Sequence, residues 1–220
     1  MFDVHSHKIE NQEGGFILSI EGEPSVPGAS SYKQLKQQEI PDSFIVVPYL
    51  DNLSAFLDKR IIYIHPRRNY FTVNDVYDYL KKSNAKLVII DTFSSFFWNV
   101  QDYFYLLNTF KDKTFLLAHG GGYKIREFVE LCRYRPNAFI DFSATQEIFG
   151  CVTGHKDLNC GVLEVIVHAL SEPRIKSKVL FGSDNPEFSQ MAAYEFYMGL
   201  NKKYPALIDE NYLRLIDMIS

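Results

Sequence analysis

Cysteine is scarce in this sequence: 220 residues hold three, with no CxxC pair among them. An odd set without paired spacing argues against a disulfide framework and makes a reducing, cytoplasmic setting the expectation. Long apolar runs are missing too. None approaches the roughly 18–20 residues of a membrane helix, and no basic-then-apolar leader opens the sequence, so no membrane association is expected. Positive charge is not in excess, since 23 Lys+Arg against 27 Asp+Glu give a net charge of −4 and a pI near 5.9. That excludes a polybasic anchor and argues against a nucleic-acid partner held by its phosphates. Internal repeats and low-complexity tracts are absent. What remains, 46% hydrophobic and 23% charged residues, is the balance of a globular chain long enough for one domain with a substantial core.

Short apolar runs punctuate the whole length: Phe2–His5, Phe16–Ile20, Phe44–Val47, Ile61–Ile64, Leu87–Ile90, Phe115–Ala118, Ala138–Phe142 and Val179–Phe181. Runs that are apolar on both faces are what parallel strands look like when helices cover them. Between them lie stretches with helical spacing: Val73–Lys82, Trp98–Phe110, Lys124–Tyr134, Gly161–Leu170, Phe188–Asn201 and Asp209–Ile219. Thr72 with Asp75 three residues on is a capping-box start for the first of these. The alternation predicts an α/β fold, a compact (β/α)8 barrel of TIM type over residues 1–220 as a single domain. Only Lys8–Gly15 separates the first two runs. Either the barrel lacks its first helix or Phe16–Ile20 is not a barrel strand, and irregularity is expected there. Glu21–Ser31, rich in Gly, Pro and Ser, reads as a loop.

Three signals stand at predicted strand ends, where barrel enzymes carry their chemistry. In Phe2-Asp3-Val4-His5-Ser6-His7, residues two apart share a face, so His5 and His7 can offer two imidazoles to one point, a pair suited to Zn²⁺ and its neighbours. Two surface histidines near a terminus are the bland alternative. In Val179–Pro186, a buried strand runs into a turn carrying Asp184, which could bind a metal through one oxygen and take a proton with the other. A turn or capping aspartate ahead of Pro186 is the alternative. In Phe115–Gly122, His119 follows its strand directly, and three glycines allow close approach of backbone or ligand. Neither GxGxxG nor GxxxxGK[ST] occurs, so a phosphate loop is not indicated.

Together these segments resemble the amidohydrolase superfamily, in particular its amidohydrolase-related branch. The likeness rests on Asp3-Val4-His5-Ser6-His7, on Leu116 with Ala118-His119-Gly120-Gly121, and on Leu180-Phe181-Gly182-Ser183-Asp184-Asn185-Pro186. The closing Glu210–Leu215 is similar to that family's terminal helix. The resemblance implies a metal-dependent hydrolase in which metal-bound hydroxide attacks an amide, lactone or ester carbonyl of a small molecule. His5 and His7 would be metal ligands. Asp184 would contact metal and shuttle the proton, and His119 would stabilise the developing oxyanion or add a ligand. Family members usually carry another histidine at the fifth strand, whereas here Leu87–Ile90 ends in Asp91. Asp91 could replace it as an oxygen ligand, giving a site for one divalent ion, Zn²⁺ or Mn²⁺.

Other readings remain open. Non-oxidative decarboxylases share the branch, and loss of the histidine could mark a degenerate barrel that only binds a ligand. Ile61–Pro66 followed by Leu87–Asp91 also resembles the TatD-type phosphodiesterases, which would set His65 and Arg67 or Arg68 against phosphate. His65 is expected in the pocket. Of the two arginines, whose planar forks suit carboxylate or phosphate, at most one is expected to point inward. His168 reads as a histidine packed on an apolar helix face, and Cys151, His155 and Cys160 as loop residues. Phe93, Phe96, Phe97 and Trp98 could wall a pocket. Tyr194, Phe196 and Tyr197 at helical spacing suggest core packing or contact between copies in a homo-oligomer.

Overall fold

A computed structural model of the chain describes residues 2–20, 29–93, 97–158, 160–201 and 207–220. Residues 21–28 of the expected loop, and Phe96, lie outside the described residues. The strands are β1 (Phe2–Ser6), β2 (Gly14–Leu18), β3 (Phe44–Val47), β4 (Ile61–Ile64), β5 (Leu87–Asp91), β6 (Thr114–Ala118) and β7 (Ala138–Ile140). They pair in parallel as two sheets, β1-β2-β3 and β4-β5-β6-β7. Backbone bonds join the sheets at both seams. Tyr63 N–H donates to Pro48 O at 2.9 Å and Leu50 N–H to Tyr63 O at 2.8 Å. At the other seam, Val179–Phe181 lies between β7 and β1, with Leu180 N–H on Ile140 O and Val4 N–H on Phe181 O, both at 2.9 Å. The eighth expected strand is therefore present as a short bridging segment rather than a full ladder, and the strand ring is that of the expected TIM-type fold.

Helices α1 (Tyr32–Leu35), α2 (Pro66–Asn69), α3 (Val73–Lys82), α4 (Val100–Thr109), α5 (Ile125–Tyr134), α6 (Thr145–Ile148), α7 (Val162–Ser171), α8 (Gln190–Asn201) and α9 (Leu207–Ile219) interleave with the strands. Among the described residues, no helix is long and apolar enough to cross a membrane. The period of two along each strand divides the apolar residues into two layers. In β5, Val88 and Ile90 pack with Leu80 of α3, Tyr103 of α4 and Phe128 of α5. Leu87 and Ile89 pack instead with Phe16, Leu116, Phe139 and Leu180. Asp91 continues the second series, and this places a carboxylate at the end of an otherwise apolar face.

The predicted capping box at Thr72 and Asp75 forms, and two unforeseen ones join Ser31 to Gln34 at the start of α1 and Asn99 to Asp102 at the start of α4. Of the two alternatives for the early chain, the first holds: β1 and β2 are parallel neighbours, and residues 7–13 between them contain no helix. Side chains brace that connection instead. Gln190 of α8 donates to Gln12 Oε1 at 2.7 Å and accepts from Asn11 N–H at 3.0 Å.

His168 is a correction. The buried stripe of α7 is Val165, Ile166, Ala169 and Leu170, and His168 falls on the other side of the helix, exposed and 2.8 Å from Arg133 Nη2. Away from the strand ends that carry the site, buried amides and lysines tie down loop carbonyls. Asn137 Nδ2 donates to Leu107 O, Phe110 O and Lys113 O at 3.0–3.2 Å. Asn137→Ala should leave these carbonyls without their donor and lower unfolding free energy by about 2–3 kcal/mol, to be read from urea melts; a change below about 0.5 kcal/mol would mean water replaces the amide.

Candidate active site

The expected residues converge at one end of the strands, around a cavity of about 230 Å³ lined by His7, His65, Asp91, His119 and Asp184 among others. His5 lies against this group, fully buried. Its Nε2 is 3.3 Å from Asp184 Oδ1, and His7 Nε2 is 3.5 Å from the same oxygen. The ligand atoms of His5, His119 and Asp184 all lie within 4.8 Å of one another, so this buried group could hold a metal ion. Asp91 pairs on the other flank, its Oδ2 3.0 Å from His119 Nε2 and 3.4 Å from His65 Nε2.

Outer hydrogen bonds fix which ring nitrogen each histidine turns to this centre. His7 Nδ1–H donates to Leu18 O at 2.8 Å, and His119 Nδ1–H donates to Ser143 O at 3.0 Å. Both rings therefore present Nε2 inward as an acceptor. His65 is set the other way: its Nδ1 accepts from Arg68 N–H at 3.4 Å, leaving Nε2–H towards Asp91. A neutral His119 would face the Asp91 carboxylate with a lone pair at 3.0 Å, a contact that requires a proton or a cation between them.

Electrostatics agree. Burial works against a charged His5, but the carboxylates of Asp141 and Asp184 outweigh it and push its pKa up to about 10. Burial likewise opposes charge on Asp141 and Asp184, and the neighbouring imidazoles hold both below the usual carboxylate range. His65 moves down because it is buried. Glu187, at the cavity wall, moves up through burial and the nearby Asp184 charge.

Backbone geometry aims two of these side chains. His119 and Asp184 both adopt left-handed conformations, with φ of +66° and +61°. Asp184 N–H bonds to His5 O at 2.7 Å, so the last segment and β1 fix each other's side chains. After His119, the glycines do not face the cavity. They admit aromatic rings: a Cβ on Gly121 (φ +83°) would stand 2.1 Å from the Phe128 ring. Close approach is therefore to protein and not to ligand.

Both arginines reach the cavity, which corrects the expectation of at most one. They follow His65-Pro66 in the short helix α2, where successive positions are about 100° apart and straddle the rim. Phe93 lines the cavity, Phe97 is exposed, and Trp98 is buried against Tyr103. Neither Cys151, His155 nor Cys160 lines it. Tyr197 packs in the core against Phe181.

Sequence reasoning missed three buried residues. Asp141 accepts from the backbone N–H of His119 at 3.2 Å and of Ser143 at 2.9 Å, and its Oδ2 stands 3.7 Å from His5 Nδ1. Asp3 accepts from Ser183 Oγ at 2.6 Å and Gln190 Nε2 at 2.9 Å; burial pushes it up to about 6 despite these bonds. Tyr63 lines the cavity from β4. For Asp141 and Tyr63 the available signal was a lone polar group inside an apolar run, and Asp3 stood within the histidine motif itself. Gly121→Ala should lower stability by about 2–4 kcal/mol, through ring overlap and left-handed strain, as read from thermal and urea melts. Parental stability in that variant would show that Phe128 moves aside without cost.

No family model matches the chain, and no curated protein matches it. Among solved structures, an uncharacterized TIM-barrel protein from Bordetella bronchiseptica superposes with a TM-score of 0.69 at 17% identity, covering 94% of this chain and 78% of that one. A probable 2-pyrone-4,6-dicarboxylic acid hydrolase from Acinetobacter baumannii, with citric acid bound, superposes with a TM-score of 0.62 at 12% identity, covering 96% of each chain. The fold is that of the TIM-barrel proteins.

Proposed function

We propose that this chain is a metal-dependent hydrolase of the amidohydrolase kind, acting on an amide, lactone or ester carbonyl of a small anionic molecule. One observation carries the reading. The His5 imidazole is wholly buried, neither of its nitrogens has a hydrogen-bond partner among the described residues, and it faces two carboxylates. Each unsatisfied buried polar atom costs about 1–3 kcal/mol, which a shared cation would offset. His5, His119 and Asp184 would hold the ion, with His7 Nε2 beside them and Asp91 the next oxygen in line. Mixed imidazole and carboxylate donors suit Zn²⁺ first and Mn²⁺ second. Such an ion supplies Lewis acidity, lowering the pKa of a coordinated water towards neutrality and polarising the electrophilic carbon.

The chain's own groups supply the rest. Asp184 lines the cavity and would take the proton of the attacking water at Oδ2, while Oδ1 stays on the side of His5 and His7. His119, fixed by Ser143 O, would keep Nε2 turned to the ion beside Asp91. Arg67, Arg68 and His65 at the wall would bind a substrate carboxylate. The structural neighbour named for a dicarboxylic acid and holding citric acid supports an anionic substrate. A cavity of about 230 Å³ is below the size that drug-like ligands need, in keeping with a small metabolite.

Elemental analysis tests the metal. We expect near-stoichiometric Zn or Mn in the purified protein, lost in the His5→Ala/His7→Ala double variant, and a lower Tm after chelation. A metal-free protein whose Tm ignores chelators would favour a ligand-binding barrel without catalysis. With lactones, esters and amides of small carboxylic acids, Asp184→Asn should cut kcat by about 10²–10⁴-fold and keep the fold, since Asn tolerates the left-handed backbone. Turnover within a few-fold of parent would remove Asp184 from the mechanism. Asp91→Ala should weaken metal affinity about 10–100-fold; unchanged affinity would exclude it from the ion's surroundings. Release of CO₂ without hydrolysis would reassign the reaction to decarboxylation.

A further inference from the structure

We propose that Tyr63 is a catalytic residue whose phenol donates a hydrogen bond to the substrate oxygen on which negative charge develops; this rests on the hydrolase reading above. Tyr63 belongs to β4 and is 2% exposed, yet it lines the cavity, so what little surface it keeps faces the space where substrate would lie. Its ring stands edge-on to His5, with centroids 5.8 Å apart and planes at 78°, and 6.3 Å from His7. The phenol thus sits beside the imidazoles that converge on Asp184. It also lies within reach of the charges of Asp91, Asp184 and Arg68.

Three other buried tyrosines use their hydroxyls on the protein, and Tyr197, whose hydroxyl also lacks a partner among the described residues, packs against Phe181 and does not line the cavity. Tyr79 donates to Phe56 O and Tyr103 to Asp91 O, each at 3.2 Å, and Tyr49 donates to Asn69 Oδ1. No described residue makes a hydrogen bond with the Tyr63 hydroxyl. A hydroxyl that opens on the cavity without a protein partner can be satisfied only by something that enters the cavity and accepts from it. That something is an acceptor such as an oxygen, because the phenol O–H is there to donate. A donor already fixed by packing, in a site with little water, is what a developing oxyanion needs, and one such donor typically contributes about 10²–10³ in kcat.

The test is Tyr63→Phe, which deletes one oxygen and breaks no hydrogen bond with a described residue. We expect Tm within about 2 °C of parent and unchanged metal content. On the ester and lactone panel, kcat should fall about 100–1,000-fold with KM within about threefold. A second readout needs no turnover. Phosphonoacetate offers tetrahedral oxyanions in place of the reacting carbonyl and a carboxylate for the arginines; by calorimetry its affinity should drop at least about tenfold in the variant. If the parent hydrolyses the panel or binds phosphonoacetate and Tyr63→Phe matches it within about twofold, the inference fails and the hydrolase reading stands. A parent that does neither overturns both. A variant whose Tm falls by more than about 5 °C, with KM and kcat damaged alike, would make Tyr63 a packing residue and overturn the inference.

Discussion

Two carboxylates, Asp141 and Asp184, stand on opposite nitrogens of one imidazole that has no access to water, His5. Removing a carboxylate from water costs several kcal/mol even after relaxation, so this arrangement persists only with positive charge held among them. The rest of the site follows from that need. Burial opposes charge on all three, yet the carboxylates push His5 up to about 10 and the imidazoles hold Asp141 below, and Asp184 well below, the usual carboxylate range. The same demand ties β1 to the segment that closes the strand ring. Val4 N–H and His5 O bond to Phe181 and Asp184, residues almost a chain length away, so closing the barrel and assembling the site are one event.

Around this centre the backbone is held away from its relaxed state. His119, Ala144 and Asp184 are non-glycine residues with φ between +56° and +66°. Each such position costs on the order of 1 kcal/mol and persists only where neighbouring contacts over-determine it. Those contacts are visible: Asp141 receives the His119 and Ser143 amides, Thr145 Oγ1 donates to His119 O, and Asp184 N–H is bound by His5 O. Elsewhere Asn137, Lys113 and Lys178 satisfy loop carbonyls without strain. Three of the six left-handed non-glycine residues among the described residues thus lie at the site, and Phe56, Tyr70 and Cys160 lie elsewhere.

Asp91 shows how a strand can supply chemistry by simple continuation. Leu87 and Ile89 point into one apolar cluster, and the next residue on that face is a carboxylate. There it meets two imidazoles of opposite setting, His119 presenting Nε2 as acceptor and His65 presenting Nε2–H. One oxygen thereby links the wall with the arginines to the group that could hold a metal. The cavity joins a rim carrying Arg67 and Arg68 to a centre rich in carboxylates.

The sequence by itself determined the alternation of strands and helices, a connection too short for a covering helix between the first two runs, the capping box at Thr72, and the placement of His5, His7, Asp91, His119 and Asp184 at strand ends. These are local properties: period, turn chemistry and the step from apolar run to polar residue leave their mark within a few positions. Tertiary structure decided what depends on partners distant in sequence. Nothing near Asp141 in the chain announces that it will bind the His119 amide and face His5, and nothing near Tyr63 announces a hydroxyl without a partner. His168 lies on the exposed side of its helix because α7 turns Val165, Ile166, Ala169 and Leu170 to the core instead. Both arginines reach the cavity because α2 begins at its edge. A linear pattern specifies which residues can share a face; which faces meet is fixed only when the strands close into a ring.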